Sequence, residues 1–148
     1  MSLLDRLNED LKEAMKTKDK VRLSVVRMVK AAIKNKEIEE GRPLDDAGII
    51  AVLQKEVKQR RDAMAQFAAG GRADLVAAAE AEIAVLQGYL PEPLSEEELT
   101  ALVRAAIAEV GATTRQDVGK VMRVLMPKVR GRADGKLVQQ RVQSELGG

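Results

Sequence analysis

Between Gly119 and Lys136 the chain reads GKVMRVLMPKVRGRADGK, with Lys120, Arg123, Lys128, Arg130, Arg132 and Lys136 set among valines, methionines and glycines. Guanidinium forks and ammonium point charges at close spacing suit phosphate oxygens. A P-loop is excluded. Gly131 and Gly135 enclose only three residues, Leu137 follows Lys136 where a magnesium-binding hydroxyl belongs, and no strand precedes the glycines. Two uses remain. Gly131 and Gly135 can permit turn geometry while Asp134 accepts amide hydrogen bonds at a helix start. The basic side chains can also form a backbone-binding surface. Gln116, Lys120 and Arg123 recur at i, i+4, i+7 opposite Val118, Val121, Met122 and Leu125, with Lys128, Arg130 and Arg132 in the loop beyond. Gly119 leaves room beside Lys120 for a bulky partner, and Lys30 and Lys34 add to the same candidate set. One Phe, one Tyr and no Trp leave little to stack on unpaired bases, so a nucleic-acid partner would be a folded RNA recognised by shape and backbone.

Catalysis has few side chains to draw on. The absence of His and Cys removes imidazole catalysis, thiol nucleophiles, Cys/His zinc sites and disulfides. Ser2, Ser24, Ser95 and Ser144 lie in no glycine-rich nucleophile turn, and the carboxylates of SEEEL suit a helix N-terminus. No catalytic residue, metal site or cofactor is expected. Glu56 and Arg60 stand at i, i+4 on the margin of an apolar stripe formed by Ile49, Leu53, Val57, Met64 and Phe67. An intrahelical ion pair at a packing edge accounts for them. A pair facing a cleft and docking a partner protein is the alternative.

Helices must position these residues. Alanine is abundant and β-branched alternation is rare in the 148-residue chain. Ser2 can cap a first helix and Asp19 a second, in which Val21, Val25, Met28, Val29 and Ala32 share a broad face with Val26 and Ile33. Lys20, Arg27, Lys30 and Lys34 fall opposite. Asp45 or Asp46 starts a third helix that reaches Gly70–Gly71, and a fourth ends at Gly88. GYLPEPLS, with two prolines, is the candidate joint. Ser95 and Glu98 make a capping box, Gly111 ends that helix, and Pro127 is expected to stop the next at Met126. Asp134 caps the last. The expectation is an all-α protein: an N-terminal subdomain of about four helices over 1–92 and a three-helix C-terminal subdomain over 93–148.

A net charge of +2 hides an uneven distribution. From Arg115 onward eight basic residues meet three acidic ones, and residues 12–36 hold nine basic residues against Glu13 and Asp19. A polyanionic partner and a solvated helix face both fit. The opening MSLLDRLNEDLKEAMK has no apolar signal-peptide segment, and no apolar run approaches the roughly 20 residues of a membrane span. A cytoplasmic protein with no membrane partner is expected.

VRMVKAAIKNKEIE, VLQKEVKQRRDA, GGRADLVAAAEAEIAVLQGYLPEPLSEEEL and DVGKVMRVLMPKVRGRADGKLV, in this order, resemble the YqeY family. That family is similar to the tail region of the B subunit of tRNA-dependent amidotransferase (GatB). The resemblance covers nearly the whole chain and implies a two-part, all-α protein of bacterial type. In the larger enzyme the tail helps hold the folded elbow of tRNA. Carried onto this chain, its basic helix and loop correspond to Lys120, Arg123, Lys128, Arg130 and Arg132. The resemblance also implies a protein partner in aminoacyl-tRNA metabolism, and a glutamine-dependent carbon–nitrogen ligase activity as a family attribute. The catalytic cradle of the B subunit and the serine–lysine machinery of the amidase subunit have no counterpart here. The expected function is a non-catalytic, tRNA-binding accessory module, with a protein–protein adaptor, or a component with glutamine-dependent carbon–nitrogen ligase activity, as the alternatives.

Overall fold

A computed structural model, describing residues 1–147, shows an all-α chain of seven α-helices and one short 3-10 turn, with no strand among the described residues. It divides into two compact units, Met1–Leu90 and Pro91–Gly148.

In the first unit, α1 (Leu3–Thr17) opens with a reciprocal capping box. The Ser2 hydroxyl accepts the Asp5 N–H, and the Asp5 carboxylate accepts the Ser2 N–H. Asp19 caps α2 (Lys20–Glu40) by accepting the Arg22 N–H, and Gly41 ends it at φ 71°. Asp45 caps α3 (Asp46–Ala69) in the same way through the Gly48 N–H. Asp46 accepts the Leu3 N–H at 3.1 Å, tying the start of α1 to the start of α3. α4 (Ala73–Gln87) follows the Gly70–Gly71 turn. Leu7, Val25, Val29, Ile49, Leu53 and Leu86 lie at the centre of one core. Burying each contributes roughly 1.5–3 kcal/mol.

The buried face of α2 is narrower than its sequence suggests. Val25, Val26, Val29 and Ile33 are buried, whereas Val21 and Met28 are 42% and 48% exposed. At 100° per residue, Val21 and Met28 lie roughly 100° from the centre of the buried stripe, at the margin of the helix packing, where the Met28 sulfur meets the Arg60 guanidinium of α3.

In the second unit, Ser95 and Glu98 form the capping box of α5 (Glu96–Val110), which Gly111 ends at φ 67°. After a 3-10 turn (Arg115–Asp117) come α6 (Val118–Val129) and α7 (Gly135–Leu146). Leu99, Val103, Val121, Leu125, Val129 and Val138 lie in the second core. The expectation that Pro127 stops α6 at Met126 is corrected: the helix continues to Val129. Pro127 is exposed in the last turn. Its missing N–H forfeits one bond, while burial of Leu125 and Val129 and the Arg130 N–H bond to the Met126 carbonyl keep that turn closed. Lys128 therefore sits on the helix instead of in a loop.

Candidate functional site

Lys120, Arg123, Pro127 and Arg130 follow one another at spacings of three, four and three. The first three share an outward stripe of α6, opposite Val121, Leu125 and Val129, and Arg130, the C-cap residue, continues it. The stripe runs about 15 Å along the helix. The side chains of Arg123 and Arg130 are exposed and make no hydrogen bond or ion pair among the described residues. Lys120 Nζ lies 3.8 Å from Asp117, with its side chain 70% exposed. At such exposure water and salt screen the pair strongly. Asp117 does not depend on it, because the Thr113 and Thr114 N–H groups donate to the same carboxylate at 2.9 and 3.2 Å. Those amides hold the Asp117 carboxyl below its ordinary value, with Lys120 a lesser contributor.

The other basic residues of the block have different surroundings. Lys128 points to the α5 side, 3.5 Å from Glu109. Arg132 is a structural tie. Its Nε donates to the Glu92 carbonyl at 2.8 Å, its Nη2 lies 3.7 Å from Glu98, and its own carbonyl accepts the Leu94 N–H at 2.9 Å. Glu92–Leu94 is thereby fastened to the turn between α6 and α7. Gly131, buried at φ 81°, makes that turn, and Asp134 caps α7 through the Lys136 N–H. The basic block therefore meets the carboxylates of α5: Glu98 and Glu109 reach Arg132 and Lys128, and Glu96 pairs with Arg141. At Gly119, a Cβ would meet nothing within 4 Å, so packing in the fold does not require glycine there. Lys34, exposed, and Lys30, half-buried, belong to α2 of the first unit.

Glu56 and Arg60 form an internal brace, matching the packing-edge reading and extending it. Arg60, 8% exposed, donates to Glu56 of its own helix at 2.5 Å and to Glu82 of α4 at 2.9 Å. A further guanidinium nitrogen lies 3.4 Å from the Met28 sulfur of α2. One cation thus joins three helices. The sequence pattern did not include Glu82, because its partner lies 22 residues away across the α3–α4 turn. A second network was equally invisible. The Tyr89 hydroxyl donates to Asp10, the Arg6 guanidinium lies 5.2 Å from the Tyr89 ring centroid, and Arg6 also donates to the Gly88 carbonyl. Burial, and then the Asp10 carboxylate, push the Tyr89 hydroxyl well above its ordinary value. Its only signal in sequence was being the single tyrosine.

Among the described residues no helix is long and apolar enough to cross a membrane. The chain is similar to proteins named "Altered inheritance of mitochondria protein 41, mitochondrial". The relative from Pyrenophora tritici-repentis is 33% identical over 149 residues, covering 98% of this chain and 81% of that protein. Those from Lachancea thermotolerans and Eremothecium gossypii are 37% and 38% identical over 70% and 74% of this chain. The matches span 57% and 62% of those two relatives. The expected cytoplasmic location is corrected by these relatives, all named as mitochondrial. Composition misleads here because any aqueous compartment asks for the same kind of surface. Residues 4–146 match the family described as Yqey-like protein, and the chain belongs to that family.

Proposed function

We propose that the chain is a non-catalytic accessory module that grips folded RNA, tRNA foremost, through backbone phosphates, with the outer stripe of α6 as the contact. The observation that carries this reading is the pair Arg123 and Arg130, exposed and without an internal partner, in line with Lys120. Guanidinium groups without an internal partner meet phosphates with no ion pair to break, and Arg123 on α6 and Arg130 at its C-cap fall on the same side of the helix. Gly119, with open space where a Cβ would stand, lets a backbone approach the first turn of α6 closely. Resemblance to the amidotransferase tail favours tRNA among folded RNAs. Lys128 joins the contact by exchanging Glu109 for a phosphate. Arg132, with its bonds to Glu92 and Glu98, supports the turn instead.

Fluorescence anisotropy of labelled tRNA across a salt series tests the proposal. Affinity falls with a log–log slope of about −0.7 to −0.9 for each phosphate neutralised. A Lys120→Ala/Arg123→Ala/Arg130→Ala variant, which leaves Arg132 in place, should flatten that slope by about two units. Unchanged affinity and slope exclude the α6 face. Glutaminase activity measured on the purified chain should be absent, and its presence would establish the carbon–nitrogen ligase reading instead.

A further inference from the structure

With Glu56 and Arg60 engaged in the internal brace, a surface able to receive a protein lies elsewhere in the first unit. The outward face of α2 is continuous. Val21, Met28 and Ile38 are 42%, 48% and 71% exposed. Scattered exposed apolar residues are ordinary, but these three lie on one side of a single helix, Met28 about 20° and Ile38 about 100° round from Val21. Exposed Ser24, Ala31 and Asn35 fill the positions between them, giving a 21, 24, 28, 31, 35, 38 pattern of alternating steps of three and four. That is the spacing by which one helix receives another, with large side chains as knobs and small ones admitting the partner's backbone.

One flank of the seam carries charge of a single sign. Lys20, Arg27 and Lys34 recur every seven residues beside it, all exposed, and none forms an ion pair among the described residues. Arg27 instead leans toward the Met15 sulfur of α1, itself 49% exposed, at 4.0 Å. Glu39 stands in line with Val21 at the far end of the helix, where it pairs with Lys36 at 3.9 Å, and no carboxylate of α2 lies on the Lys20, Arg27 and Lys34 flank. We infer that this face of α2 docks an amphipathic helix of a partner protein whose apolar stripe is bordered by Asp or Glu. The charge row selects the occupant. A second copy of the chain laid antiparallel would set basic row against basic row, which disfavours self-association. The apolar line between the charges favours a helix over RNA, because Val21, Met28 and Ile38 present nothing to a phosphate backbone.

The test uses the full chain and two synthetic amphipathic helices as long as α2, identical in their leucine and alanine seam. One has glutamate on its flanks and the other lysine. The glutamate-flanked peptide should bind about tenfold more tightly. Lys20→Glu/Arg27→Glu/Lys34→Glu should invert that preference, a gain of binding that a misfolded variant cannot produce. Ala31→Gln should weaken the favoured peptide about tenfold without altering the circular dichroism spectrum. Equal binding of both peptides, or no saturable binding of either, overturns the inference. So does finding that the charge reversal releases tRNA while leaving peptide binding unchanged, or that it dissociates a dimer of the wild-type chain. Because Lys120, Arg123 and Arg130 are untouched, failure here is distinguishable from failure of the α6 surface.

Discussion

Replacing Arg60 with Met separates the charge of the α3 brace from its bulk. Met fills much of the space of the arginine stem but supplies no donor, so Glu56 loses its guanidinium while its side chain is only 14% exposed. Glu82, 36% exposed, can turn toward water and suffers less. Removing one member of a buried ion pair costs about 3–5 kcal/mol, and the partial exposure of Glu82 places the expectation near the lower end, about 3 kcal/mol. Most of that is the stranded Glu56 carboxylate. Adding Glu56→Gln to Arg60→Met should therefore restore about half the loss, a sign that simple removal of contacts does not produce. Urea unfolding is the assay. Tyr89, the sole tyrosine, lies in Met1–Leu90, so its fluorescence follows the first unit in a chain without tryptophan. With a urea slope of about 1 kcal/mol per molar for a domain of this size, the midpoint should fall by about 3 M. A loss under about 1 kcal/mol, or a double variant weaker than Arg60→Met, would refute the view that desolvated charge holds α2, α3 and α4 together.

Tyr89 makes a pH prediction of definite sign. Its hydroxyl value is raised above the ordinary 10.0, so the protonated phenol is favoured by folding. Its stabilising contribution is whole below pH 10 and is lost as pH rises through the folded value. Absorbance near 295 nm should show little tyrosinate in the native chain at pH 10, where the urea-unfolded chain is half ionised. Gly119→Ala should stabilise the second unit by about 0.5–1 kcal/mol in thermal unfolding, since the new methyl meets nothing, while weakening tRNA binding in the anisotropy assay. Arg132→Ala should cost about 1–2 kcal/mol through the lost bond to the Glu92 carbonyl and speed amide exchange at Leu94, while leaving the salt slope of tRNA binding nearly unchanged.

Most helix ends were legible in the sequence because they are local. Ser2, Asp19, Asp45, Ser95 and Asp134 each accept an amide within three residues, and Gly41 and Gly111 take left-handed geometry at helix ends. Pro127 misled because its local cost was outweighed by core packing on both sides of it, which no short window contains. Val21 and Met28 misled for a related reason. Periodicity marks an apolar face, but the neighbouring helices decide how much of it is covered.

Composition favoured helices over sheets and removed His and Cys chemistry, while capping and helical periodicity carried the all-helical expectation. The order of residues placed a run of positive charge near the carboxyl end. Only tertiary structure divided that run, setting Arg132 against Glu92 and Glu98, Lys128 beside Glu109, and Arg123 and Arg130 in the open. The same is true of Glu82 at Arg60 and Asp10 at Tyr89. Capping and helical periodicity act over one to two turns of chain, whereas a charge finds its partner in space, across whatever helix the fold brings beside it.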